Sequence, residues 1–197
     1  MNMLRSSIVM LVVLTIFTGI AYPLIVTGLA NVFFPWQAKG SLITQDDRII
    51  GSALIGQNEL GLDYFHGRPS ATAEAPYNTL ASGGSNLAVS NPLLQQTMAQ
   101  RSEQLRAENP DATNIIPVDL LTASASGLDP NISVDAALYQ APRVAKNRQL
   151  SLEEVKSLIN SYTENALLPF LGEPVINVLK LNIALDDYQQ QMNSQTR

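Results

Sequence analysis

The chain opens with one long apolar run, and polar and apolar positions alternate only after it. From Ser6 to Ala38, between Arg5 and Lys39, no residue carries a formal charge, and Ile8 to Phe34 is dominated by Ile, Val, Leu, Met and Phe. A helix needs about 20 apolar residues to cross the hydrocarbon core, so the pattern predicts a membrane-spanning helix over residues 7–34 behind a short tail, 1–6. Phe33-Phe34-Pro35-Trp36 places aromatic rings at its far end, where they favour the headgroup interface. Gly19 and Pro23 would break a soluble helix. Within a membrane, neighbouring helices can satisfy the freed backbone, so these two residues point to a packed span. Gly28-Leu29-Ala30 offers the small residues a signal peptidase prefers, but apolar character continues to Phe34, beyond the 7–15 residues of a signal h-region, which favours a retained anchor. Lys and Arg set orientation. Arg5 and the N-terminal amine precede the span, Lys39 and Arg48 follow it, and Asp46 and Asp47 do not count, so the balance tilts towards a cytoplasmic N-terminus with residues 40–197 outside.

Behind the anchor the pattern has two textures, and together they predict an α+β class: one transmembrane helix, then a single mixed domain of short strands and several helices. Between Gly51 and Pro92 glycine is frequent and formal charge is confined to Glu59, Asp63, Arg68 and Glu74, a composition suited to turns and short strands. Arg48 to Gly56 reads as a strand with a bulge at Gly51, and Tyr64-Phe65-His66 as a shorter strand. From Asn91 the period becomes helical. Asn91 is an N-cap with Pro92 at the first helical position, Leu94, Met98, Arg101 and Leu105 share a face, and Asn109-Pro110 stops the run. Ser133-Val134-Asp135-Ala136 starts a second helix, which Pro142 is expected to kink or divide before Lys146 and Arg148. Ser151-Leu152-Glu153-Glu154 is a capping box, with Leu152, Val155, Leu158 and Ile159 facing inward. Val175 to Leu185 fits a short strand leading into a helix.

Composition narrows the chemistry. With 197 residues the chain can bury one ordinary core. Asp and Glu outnumber Lys and Arg by 17 to 12 and no basic cluster occurs, which argues against nucleic acid as a partner. Cysteine is absent and His66 is the single histidine, which excludes a thiolate metal site, a Cys nucleophile and a disulfide framework. No metal site, catalytic residue or firmly bound cofactor is expected. There is no G-x-x-x-x-G-K-[ST] or G-x-G-x-x-G loop, and no Asp-Lys-Thr-Gly around a phosphorylated aspartate, so the chain is not the hydrolytic subunit of a P-type pump. His66 and Ser70 could act as base and nucleophile, but spacing alone does not make a triad, and a lone histidine is more often structural. Arg68 reads as a buried donor tying a loop carboxylate or carbonyl. Ser82, Gly83, Gly84 and Ser85 form the candidate contact loop. Adjacent glycines let backbone amides approach an anion or another chain closely, and both a nucleotide contact and a turn or subunit contact fit.

Longer motifs identify a relationship. Trp36-Gln37-Ala38-x-Gly40-Ser41-Leu42-Ile43, Gly51 to Gln57, Tyr64 to Thr72, Ser82 to Ala88, Thr122 to Asp129 and Pro142 to Ala145 closely resemble the C-subunit family of the Kdp potassium-transporting ATPase. The resemblance extends over nearly the whole chain. It implies a noncatalytic, single-pass subunit of the bacterial inner membrane, with its folded domain in the periplasm, in a high-affinity potassium uptake complex. The implied partners are a potassium-channel-like subunit, a P-type ATPase subunit and membrane lipid. It also implies a role proposed for the family, a catalytic chaperone raising the ATP affinity of the hydrolytic subunit, with ATP contact through Ser82 to Ser85. A domain held outside cannot touch cytoplasmic ATP, so such an effect would have to travel through the partner subunits.

Overall fold

A computed structural model describes residues 2–45, 47–59, 61–166, 168, 170 and 172–195; Asp46, counted among the charges after the span, lies outside them. Contacts divide the chain into two compact units, Met1–Ser52 and Ala53–Arg197.

The first unit is mostly helix. Helix α1 (Asn2–Ile16) and α2 (Tyr22–Phe33) are joined without a break by a single wide turn, Phe17–Ala21, of π geometry. Met3–Phe33 is long and apolar enough to cross a membrane, and none of its most apolar stretch is buried. Polar side chains within it bond back to their own helix: Ser7 Oγ donates to the Met3 carbonyl (2.9 Å), Thr18 Oγ1 to Leu14 (2.7 Å) and Asn31 Nδ2 to Thr27 (2.8 Å). In an apolar medium such groups have no better partner. A short helix α3 (Pro35–Ala38) carries the aromatic end, and the Trp36 indole N–H donates to the Leu42 carbonyl at 3.0 Å. That bond ties the helix end to the antiparallel hairpin of β1 (Leu42–Gln45) and β2 (Arg48–Ser52). The expected bulge is present beside Gly51: Ile43 pairs with Gly51 but Thr44 with Ile49, leaving Ile50 as the extra residue. The strand ends at Ser52, short of the predicted Gly56, as the chain enters a turn.

In the second unit, helices α4 (Pro92–Glu108), α5 (Val118–Leu121), α6 (Val134–Arg148), α7 (Leu152–Ser161) and α8 (Val178–Gln195) accompany a three-stranded antiparallel sheet. Its strands are β3 (Asn131–Ser133), β4 (Thr163–Glu164) and β5 (Val175–Asn177), in the order β3-β5-β4. The mixed α+β class is therefore observed. Phe65, Ile132, Val144, Val155, Ile159, Ile176, Leu181 and Leu185 form its core. Asn91 caps α4 by accepting from the Leu93 amide at 3.0 Å, and Ser133 caps α6 by accepting from Ala136 at 3.1 Å. The Ser151–Glu154 capping box is complete. Leu152, assigned to the inner face of α7, is exposed, while Val155 and Ile159 are buried.

Two expectations change for physical reasons. Of the two alternatives at Pro142, division is not what happens: α6 runs unbroken from Val134 to Arg148. A proline inside a helix costs ~3 kcal/mol, yet Ala136, Ala137, Tyr139, Gln140, Ala141, Arg143, Val144 and Ala145 are all buried, so packing on most sides outweighs that local cost. Tyr64-Phe65-His66 joins no sheet. Helix side chains, described below, satisfy its backbone instead.

Candidate functional site

Residues 53–91 contain no helix or strand among those described, so their backbone groups must find other partners. One source is a compact loop, Ser124–Asp129. Gly56 N–H donates to the Leu128 carbonyl (2.9 Å), Ser70 Oγ to the Gly127 carbonyl (2.8 Å), and both Gly83 N–H (2.8 Å) and Ser82 Oγ (3.0 Å) to the Ser126 carbonyl. Arg68 reaches the Asp129 carboxylate at 3.2 Å, the carboxylate partner expected for it, although the side chain is half-buried rather than buried. Three stretches of the glycine-rich segment, around Gly56, Arg68 to Ser70 and Ser82-Gly83, thus converge on one loop. Gly127 makes the approach close: it sits at φ +68°, and a Cβ there would lie 2.7 Å from the Gly83 carbonyl oxygen.

The second source is a set of polar side chains on α6 and α8. Asn182 Oδ1 accepts from the Phe65 amide (2.8 Å) while its Nδ2 donates to the Phe65 carbonyl (3.0 Å). Gln140 repeats the arrangement one residue on, accepting from His66 N–H at 2.8 Å and donating to the His66 carbonyl at 3.1 Å. Each carboxamide does what a neighbouring strand would do. Arg143, buried, donates to Asn109 Oδ1 (3.0 Å), to Gln140 Oε1 (2.9 Å) and to the Leu62 carbonyl. Arg148 donates to the Asp63 carbonyl (2.7 Å) and to Asp186 Oδ1 (2.6 Å), with its guanidinium 4.4 Å from the centre of the Tyr64 ring. The coil is thereby strapped to the helical core.

His66 and Ser70 both line a groove of about 370 Å³ that also includes Arg68, Tyr77, Arg101 and Glu108. They form no hydrogen bond with each other. The His66 Nε2 lies 2.9 Å from the Gly61 carbonyl, and its Nδ1 faces Glu108 at 3.7 Å. Burial, then the Arg143 charge, holds the imidazole pKa below its ordinary value. Ser70 Oγ accepts from the Tyr77 amide (2.8 Å) while contacting Gly127 O and Thr72 Oγ1, the work of a structural node. Tyr77 closes this side: its hydroxyl donates to the Arg68 carbonyl (2.6 Å), and burial, with Asp129 nearby, pushes its pKa up to about 12.

Of the predicted contact loop, Ser82 and Gly83 turn donors inward to Ser126. Gly84 lies against the Ser124–Ala125 backbone, where a Cβ would meet the Ala125 carbonyl oxygen at 3.0 Å, whereas a Cβ on Gly83 would meet nothing within 4 Å. Ser85 is exposed. None of the four lines the His66 groove. The residues missed by sequence reasoning are Gln140 and Asn182. Their signal was present: each is an uncharged polar residue among apolar neighbours, Ala136-Ala137 and Ala141 for the first, Leu181 and Leu185 for the second.

Residues 4–187 match the family model described as the K+-transporting ATPase c chain, KdpC. The chain is 59% identical over 186 residues to a potassium-transporting ATPase KdpC subunit of Yersinia enterocolitica, covering 94% of this chain and 93% of that one. KdpC subunits of Escherichia coli O9:H4 and Escherichia fergusonii are each 56% identical over 94% of this chain and 98% of theirs.

Proposed function

The chain belongs to the KdpC family, the c chain of K+-transporting ATPases, and on that footing we propose that it is a noncatalytic subunit that assembles and stabilises the pump. Its partners are the potassium-channel-like subunit and the P-type ATPase subunit. It sits in the inner membrane with its N-terminus in the cytoplasm and residues 40–197 on the periplasmic side. Any effect on the ATP affinity of the hydrolytic subunit then passes through the partners as a coupling free energy.

One observation carries this reading over direct nucleotide contact. Two of the donors that a phosphate cradle would present, the Gly83 amide and the Ser82 hydroxyl, are spent on the Ser126 carbonyl inside the chain. The outer side of Gly83 is free of the chain's own atoms, so a second protein can press against it. A hydrolase reading finds less support, because His66 and Ser70 are each engaged with other groups.

The test is co-purification of the pump subunits with the tagged full chain, comparing wild type with Gly83→Trp. Gly83 gives a cleaner readout than Gly84, whose substitution would collide with Ala125 in the same chain. Reduced recovery of the ATPase subunit is expected; unchanged recovery removes this loop from the interface. A topology reporter fused at Arg197 should read extracytoplasmic, and a cytoplasmic result would restore direct ATP contact as the better explanation.

A further inference from the structure

The wide turn in the membrane helix leaves a backbone acceptor without a donor. In an α-helix the Thr18 carbonyl would receive the Tyr22 amide, but that amide donates to the Phe17 carbonyl instead. In a π turn it would receive the amide of residue 23, which is proline and has none. Leu24 supplies the next amide, one residue too far along. Thr18's own hydroxyl is committed to Leu14 at 2.7 Å, and no side chain among the described residues donates to the Thr18 carbonyl.

Depth makes this unpaired group costly. Thr18 is the middle residue of the Met3–Phe33 span, with roughly 22 Å of helix on either side. The hydrocarbon core extends only about 15 Å from its midplane, so water and headgroups do not reach this level. Acyl chains carry no donors, and an unsatisfied backbone group in hydrocarbon costs several kcal/mol. Beside the carbonyl, Gly19 leaves room for close approach: a Cβ there would meet no atom nearer than Thr15 Cγ2, 3.9 Å away.

We infer that the Thr18–Gly19 face of the span is the docking surface for a transmembrane helix of a partner pump subunit, which presents a side-chain hydrogen-bond donor, a hydroxyl or carboxamide, to the Thr18 carbonyl at mid-membrane. The inference rests on the assembly reading above and adds the place and chemistry of the contact. A lipid supplies no donor at this depth. A second copy of the chain supplies a poor one, since its Thr18 hydroxyl is already bonded to Leu14.

The experiment is quantitative co-purification of the pump subunits with the tagged full chain carrying Gly19→Leu, Gly28→Leu or Pro23→Ala, alongside a photoreactive residue at Thr15. Neither glycine site clashes with the chain's own atoms, so the chain can accept leucine at both. Gly28 lies about half a turn round the helix from Gly19 and serves as the control. Interhelical hydrogen bonds in membranes are worth ~0.6 kcal/mol on average and ~1.7 at most, so Gly19→Leu should lower subunit recovery roughly 3- to 15-fold. Gly28→Leu should not change it. Pro23→Ala returns an amide to the helix, removes the need for an external donor, and should weaken recovery less than Gly19→Leu. Light should link Thr15 to a partner subunit. Wild-type recovery of Gly19→Leu, or crosslinking of Thr15 solely to a second copy of the chain, overturns the inference while leaving the assembly reading intact. Failure of the wild-type chain to retain any pump subunit overturns the assembly reading itself.

Discussion

Replacing Gln140 with leucine tests whether side-chain carboxamides, acting in place of strands, hold the irregular segment to the core. The side chain is completely buried. Leucine is close to it in volume and helix propensity, so cavity and helix effects are small. Four partners lose a bond: the His66 amide, the His66 carbonyl, one Arg143 N–H and the Ala136 carbonyl. A buried donor or acceptor left unpaired costs ~1–3 kcal/mol, and more when charged. The loss should therefore be about 4 kcal/mol, a large share of the ~5–15 kcal/mol that stabilises a typical domain. With a urea slope of ~2 kcal/mol per M, the unfolding midpoint of the extramembrane unit should fall by roughly 2 M. The measurement is hydrogen exchange of the full chain in detergent across a urea series, read on the peptide containing Phe65 and His66. Gln140→Glu keeps both acceptor bonds and faces the Arg143 guanidinium, so it should lose about half as much. A midpoint for Gln140→Leu within ~0.5 M of wild type would refute the strap, because the His66 backbone would then have found equivalent partners without Gln140.

Gly127→Ala forces a side chain into positive φ and against the Gly83 carbonyl and Thr72; a loss of about 2 kcal/mol and faster proteolysis near Ser82 to Ser85 are expected. Ser151→Ala removes one half of the α7 capping box and should cost about 1 kcal/mol in thermal unfolding, with Ser151→Thr, which keeps the hydroxyl that donates to Glu154, nearly neutral. His66, with its pKa held below 6.5 in the fold, makes stability depend on pH in a defined direction. As pH falls through 6.5 the unfolded chain takes up a proton that folded His66 does not. Stability present at pH 7.5 is then lost by at most ~1.4 kcal/mol per pH unit, levelling off below the folded pKa. Urea midpoints at pH 7.5, 6.5 and 5.5 should show this slope in wild type and a flatter one in His66→Gln.

Local signals in the chain were enough to locate the long N-terminal apolar helix, the caps at Asn91, Ser133 and Ser151, and the strand-to-helix transition after Val175. Each depends on neighbours within four or five residues, or on the continuous hydrophobicity of a single segment, and such information is written along the chain. The long motifs likewise carried the family. Tertiary structure decided the rest. Pro142 stays inside a continuous helix because burial on most sides of α6 outweighs its local cost. Tyr64 to His66 has a strand's composition but no strand beside it, since the donors and acceptors that satisfy it come from Gln140 and Asn182, more than 70 residues away. The Ser82 to Ser85 loop could be read from sequence as an anion cradle or a packed turn, and the position of Ser126 determines where its donors point. Hydrogen-bond capacity is a property of residues, but its use is fixed by which distant groups the fold brings within 3 Å.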